Sequence, residues 1–126
     1  MQHQETTEKI IKAFYNVYNK LGYGFLEKVY ENALLIELKK SGFICEKQKP
    51  ICVFYENEIV GVFFADIIVN NTIILELKAC ELLIKDHELQ VVNYLKATDI
   101  EVALLLNFGK NPQVKRKIYS NEFKNK

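Results

Sequence analysis

The chain has 126 residues, of which 49% are apolar and 26% charged. That is the composition of an ordinary folded domain, with length for one compact unit and not for two. Seventeen basic against sixteen acidic residues leave a net charge of +1, which excludes a histone-like polycation but allows a local basic face. Apolar runs such as Ile59 to Ala65 and Ala103 to Leu106 are far too short to span a bilayer. Met1 to Glu5 carries no basic region followed by an apolar stretch, so no signal peptide is expected and cytoplasm is the default compartment. Cys45, Cys52 and Cys80 are odd in number and match no zinc spacing, which favours reduced thiols. Two histidines, His3 and His87, cannot build a histidine-rich metal site.

In chain order, Ile10, Phe14, Val17 and Leu21 repeat at the spacing of one helix face, which predicts a helix over Thr7 to Leu21. Gly22-Tyr23-Gly24 breaks it. A second helix is expected from about Phe25 to Lys40, ending near Gly42, with Leu26, Val29, Ala33 and Ile36 as its apolar stripe. After Pro50 the period changes. Ile51 to Tyr55, Ile59 to Val69 and Ile73 to Ala79 are rich in β-branched and aromatic residues, and polar breaks separate them into a three-stranded antiparallel meander. A third helix fits Asp86 to Thr98, with Asp86 as its N-cap. Glu101 to Asn107 reads as a strand buried on both faces, and Val114 to Tyr119 fits an edge strand. No repeat or linker divides the sequence, so residues 1–126 are expected to form a single domain, frayed from about residue 120. The order α-α-β-β-β-α-β implies an α/β fold, a mixed sheet flanked by helices.

Charge inside the second hairpin concentrates the chemistry. Glu76 and Lys78 are two apart on a strand and share a face. If Asn70-Asn71-Thr72 is a three-residue loop, Val69 faces Ile73 and Asp66 falls opposite Glu76; a two-residue loop would turn Asp66 to the other face. The odd loop is expected, because the alternative buries three charges on two faces without partners. Two adjacent carboxylates in a low-dielectric setting call for a divalent cation or a shared proton, and all-oxygen ligation suits Mg²⁺, Mn²⁺ or Ca²⁺. Glu37-Leu38-Lys39 and Glu122-Phe123-Lys124 repeat the E-x-K tripeptide, but only Glu76-Leu77-Lys78 lies on an expected strand beside an acidic residue. A plain Glu76–Lys78 ion pair is the structural alternative. His87, Gln90 and Tyr94 form a polar stripe on the third helix, and Glu27, Tyr30 and Glu31 one on the second, adjacent to its apolar stripe.

These residues together resemble a known family. Gly24-Phe25-Leu26-Glu27-Lys28-Val29-Tyr30 fits G-x-x-E-x-x-Y, the pattern of the GxxExxY proteins, a small branch of the PD-(D/E)XK nuclease superfamily. Asp66 followed by Glu76-Leu77-Lys78 looks like the superfamily's D…(D/E)-x-K core. Gln90 to Tyr94 is similar to the Q-x-x-x-Y motif of RecB-like nucleases, and Asn93 to Thr98 and Leu106 to Gly109 also look like the GxxExxY pattern. Ala65 stands where the superfamily often has proline, Tyr18 where family members often have His, and Phe64 where they often have a basic residue.

The resemblance implies a restriction-endonuclease-like core and metal-dependent hydrolysis of phosphodiester bonds in DNA or RNA. Asp66, Glu76 and the backbone carbonyl of Leu77 would bind Mg²⁺ or Mn²⁺, with Glu27 as a further ligand. Lys78 would activate water or stabilise the transition state, and Gln90 and Tyr94 would position Lys78 or the scissile phosphate. The alternative is a binding module, for nucleic acid or protein, that keeps the fold without turnover. Oligomeric state stays open. Lys28, Lys85, Lys96, Lys110, Lys115, Arg116 and Lys117 are the candidate phosphate contacts.

Overall fold

A computed structural model describes residues 3–124. Helices α1 (Gln4–Leu21) and α2 (Glu27–Lys40) precede strands β1 (Cys45–Tyr55), β2 (Glu58–Val69) and β3 (Ile73–Lys78). Helix α3 (Lys85–Lys96), strands β4 (Val102–Asn107) and β5 (Gln113–Ile118) and a 3₁₀ turn (Asn121–Phe123) complete the chain. The five strands form one mixed sheet in sequential order, antiparallel except where β3 runs parallel to β4. The α/β fold expected from the sequence is therefore present, with β5 added at the edge.

Strand pleat divides the core into two layers. Ile73, Leu75 and Leu77 of β3, with Leu104 and Leu106 of β4, face Ile10, Phe14 and Val17 of α1 and Tyr30, Leu34 and Leu38 of α2. Ile74, Ala103 and Leu105 meet Val91, Tyr94 and Leu95 of α3 on the other face. The central strands are apolar on both sides because helices cover both.

Several boundaries depart from the sequence reading. The stripe expected on α2 is misplaced: Leu26, Val29 and Ile36 are exposed, and the buried face carries Tyr30, Glu31, Leu34 and Leu38. Tyr30 decides this orientation. Its ring stacks on Phe108 at 4.4 Å, while its hydroxyl donates to the Gly22 carbonyl at 2.6 Å and accepts from the Phe25 N–H. Burying this large aromatic with both polar needs met outweighs burying the smaller Val29. β1 starts at Cys45 and passes through Pro50, which an edge strand tolerates because it has a side without ladder bonds. α3 begins a residue before Asp86, and the Ile84 N–H is satisfied by His87 Nδ1 at 3.2 Å. Asp86 is thus not the N-cap. It sits in the first turn, where a negative charge still favours the helix dipole.

The end of the chain is tied down to Lys124 and not frayed from residue 120. Glu101 accepts from the Asn121 N–H at 2.7 Å, and Lys124 Nζ donates to the carbonyls of Thr98 and Ile100. Met1, Gln2, Asn125 and Lys126 lie outside the described residues.

Behind the sheet's carboxyl end, Asn107 is fully buried and clamps the loop that follows β3. Its side chain accepts from the Cys80 N–H at 3.0 Å and donates to the Cys80 carbonyl at 2.9 Å. Gly109 packs against the same carbonyl so closely that a Cβ there would stand 1.9 Å from the oxygen. Tyr18 belongs to this clamp too, donating to the carbonyls of Gly109 and Lys110. Gly109→Ala is expected to destabilise the protein by about 1–3 kcal/mol or more, because backbone must move to admit the methyl. Thermal or urea unfolding checks it; a change within 0.5 kcal/mol, the range of an ordinary surface substitution, would contradict the clamp.

Candidate active site

The hairpin register has Val69 paired with Ile73, Ile68 with Ile74 and Ile67 with Leu75. Extending it sets Asp66 opposite Glu76, the arrangement expected of the odd loop. Asn70 and Asn71 provide that turn in left-handed conformations, at φ 50° and 59°, which asparagine tolerates better than most residues. The described ladder ends at Ile67 and Leu75. Beyond it the Leu77 N–H donates to the Asp66 side chain, Oδ2, at 2.8 Å. A carboxylate thus takes a backbone donor of β3, and β2 leaves the sheet with its edge partner β1.

Three segments bring charge to this divergence, and a fourth brings neutral polar groups. Glu76, 5% exposed, accepts from the Asp66 N–H through Oε1 at 3.4 Å and is hydrogen-bonded to the Asp66 side chain as well. Burial first, and the Asp66 charge second, push the Glu76 carboxyl up to about 8, with Lys78 acting in the opposite sense. Glu27, in the first turn of α2, is raised by partial burial; Lys78 opposes the rise, and Asp66 and Glu31 add to it. From α3, Tyr94 accepts from Gln90 Nε2 at 2.9 Å. Burial and the neighbouring Glu76 raise its phenol to about 12, so it stays a neutral hydrogen-bond donor. Asp66, Glu76, Lys78, Glu27, Gln90 and Tyr94 therefore surround one place, where the carboxyl end of β3 lies between α2 and α3.

Three further residues belong to the cluster. Gln48 adopts φ 51° in β1, where the pairing passes from Lys47–Ile67 to Lys49–Ala65 without it. Its amide nitrogen donates to Glu31 Oε1 at 2.8 Å and to Asp66 Oδ1 at 3.2 Å, linking two carboxylates from different elements. Glu31, 4% exposed, is also held by Lys28 at 2.9 Å. His87 reaches Glu27 electrostatically. Glu31 and His87 were legible as stripe members. Gln48 carried no signal, since the polar run Glu46 to Lys49 before Pro50 looks like loop.

Among the expected phosphate contacts, Lys28 is paired with Glu31, Lys117 with Glu88 at 2.5 Å, and Lys96 lies 5.6 Å from the Tyr119 ring. Their charge is partly committed within the protein.

No three His, Cys, Asp or Glu side chains among the described residues are grouped as a metal site of their own. The donors that do meet are two carboxylates, one of them bonded to the Leu77 N–H. That set fits Mg²⁺ or Mn²⁺, since Mg²⁺ binds through one or two carboxylates and keeps several waters. It lacks the nitrogen and sulfur donors that zinc prefers.

A mixed sheet with helices on both faces, carrying an acidic pair and a lysine at the carboxyl end of its central strand, defines a nuclease-like α/β fold. The family model of the PD-(D/E)XK nuclease superfamily matches residues 4–118, and the chain belongs to that superfamily. Neither the curated proteins nor the solved structures contain a match.

The Glu76 shift has a consequence for stability. Its carboxyl titrates near 4.5 when unfolded and near 8 when folded, so the folded state holds a proton that the unfolded state loses. The Glu76 contribution to stability is full below about pH 4.5 and is lost as pH rises through about 8. In chelator-treated buffer the melting temperature should drop by several degrees between pH 5 and pH 8, and Glu76→Gln should flatten that slope. A Glu76→Gln protein with the wild-type slope would show that another group carries it.

Proposed function

We propose that the protein is a metal-dependent nuclease that hydrolyses phosphodiester bonds in DNA or RNA, on the GxxExxY plan of the superfamily. The observation that carries this reading is the direct apposition of the Asp66 and Glu76 carboxyls, with Lys78 two residues further along the same strand. Asp66, Glu76 and the Leu77 carbonyl would hold Mg²⁺ or Mn²⁺, with Glu27 as a further ligand. The bound cation would supply Lewis-acid polarisation of the phosphate and a water of lowered pKa. Lys78 orients the attacking water or stabilises the charge that develops on the phosphate oxygens. Gln90 holds Tyr94, and the pair positions Lys78 or the scissile phosphate from the α3 side.

The G-x-x-E-x-x-Y pattern gains a physical meaning from these contacts. Gly24, at φ 110°, makes a turn that side chains disfavour. The Tyr30 hydroxyl fixes that turn from within the helix, which sets Glu27, the first residue of α2, toward the site. Three free thiols are consistent with a reducing compartment such as the cytoplasm. No helix among the described residues is long and apolar enough to cross a membrane.

Two linked measurements test the reading. Mg²⁺ or Mn²⁺ should support cleavage of DNA or RNA, and Lys78→Ala should lower kcat by about 10²-fold or more, in line with loss of one transition-state contact. The same cations should raise the melting temperature by mass action. Asp66→Asn should abolish both responses while leaving metal-free stability largely unchanged, because an amide oxygen can still accept from the Leu77 N–H and from the protonated Glu76 carboxyl. A cation-induced stabilisation without any cleavage would favour the binding module; a strongly destabilised Asp66→Asn would make the residue structural.

A further inference from the structure

Next to the acidic cluster lies an open-sided recess of about 280 Å³, lined by Phe63 of β2 and by Asp86, Leu89, Gln90, Asn93 and Tyr94 of α3. Two of these residues, Gln90 and Tyr94, also line the acidic site, and Phe63 stands three residues before Asp66 on the same strand. The recess and the cluster are therefore one continuous surface. Its volume falls just below the roughly 300–1,000 Å³ of ordinary small-ligand pockets, which suits one planar group.

The walls specify what kind of group. Phe63 is 46% exposed and its ring lies 5.8 Å from the Tyr94 ring at 42°, so an exposed aromatic is offered to a flat partner. Leu89, half exposed, adds apolar floor. Polar capacity comes from the Asn93 amide, which both donates and accepts, and from the Asp86 carboxylate, which accepts. No lysine or arginine lines the recess. A phosphate would meet Asp86 with no compensating cation, whereas a nucleobase brings a stacking face together with ring and exocyclic N–H donors. A larger groove of about 640 Å³ shares Phe63 and Asn93 with the recess and continues past Phe54 and Lys96. It offers an aromatic and a cation to a neighbouring nucleotide.

We propose that this recess is a base-binding subsite, and that the substrate strand is single-stranded or locally unpaired, with one base seated against Phe63 while an adjoining phosphate reaches Asp66 and Glu76. Bases in a duplex are stacked and paired, so none could enter without being extruded. Stacking on an aromatic side chain tolerates any base and provides affinity where long-range charge is weak; the net charge here is only +1. This inference rests on the nuclease reading above and narrows its substrate.

Binding of fluorescent 12-nucleotide single strands and a 12-base-pair duplex, with Ca²⁺ in place of Mg²⁺, tests it. The single strand should bind more tightly than the duplex. Phe63→Leu, which keeps apolar bulk and removes the ring, should weaken single-strand binding about 5- to 100-fold. The salt dependence should stay as it was, because no phosphate contact is lost. Phe63→Trp should restore the affinity, and this rescue separates stacking from damage to the fold. A duplex bound as tightly as the single strand, or a Phe63→Leu protein that binds single strands like the wild type, would overturn the subsite and leave the nuclease reading intact. Failure to bind or cleave either form would overturn both.

Discussion

The structure turns on one hydrogen bond, from the Leu77 N–H to the Asp66 carboxylate. In an uninterrupted antiparallel ladder that donor would meet a backbone carbonyl of β2. Here a side chain takes the carbonyl's place, so β2 is free to turn away while the buried β3 backbone keeps its partner. The divergence opens space at the carboxyl end of β3, and α2 and α3 approach it from opposite faces. A neutral side chain at position 66 could fill the same volume. Only a side chain that carries an acceptor could end the ladder and leave the Leu77 N–H satisfied.

Apposed carboxyls are costly in a buried setting. The protein meets that cost in two ways. Glu76 retains its proton well above the ordinary glutamate range, and Gln48 spreads donor capacity across Glu31 and Asp66. Both devices preorganise the oxygens. Hydrogen bonds from Leu77 and Gln48 hold Asp66 in place, which would lower the ordering cost of the cation binding proposed above. The same cluster would be a poor way to stabilise a fold, since apolar replacements of buried charge are often as stable or more so. Its presence in a largely apolar core fits a chemical purpose.

The remainder of the fold holds this end of the sheet rigid. Tyr30 stacks on Phe108 and pins the Gly22–Phe25 turn, Asn107 clamps the Cys80 backbone, and Tyr18 ties α1 to the strand that follows β3 in the sheet by way of Gly109. Each contact is aromatic or amide, fully formed, and close to a segment that carries a site residue. Motif positions without an obvious chemical role thus act through backbone placement. Tyr18 and Asn107 are examples, and neither needs to touch a substrate to matter.

Much of this was legible in the sequence, because hydrophobic period and turn chemistry are local. The α/β order, the odd Asn70-Asn71-Thr72 loop and the apposition of Asp66 with Glu76 follow from strand alternation and from the cost of stranding buried charge. Other features were not local. Which face of α2 is buried depended on Phe108, nearly eighty residues away, offering Tyr30 a stacking surface. Pro50 could sit inside β1 only because that strand is at the sheet edge, and residues 120–124 are held by Glu101 and by the carbonyls of Thr98 and Ile100. Gln48 entered the site through a left-handed backbone turn set by the pairing of β1 with β2. A sequence states which side chains seek burial or charge; long-range packing decides which of several suitable faces obtains it.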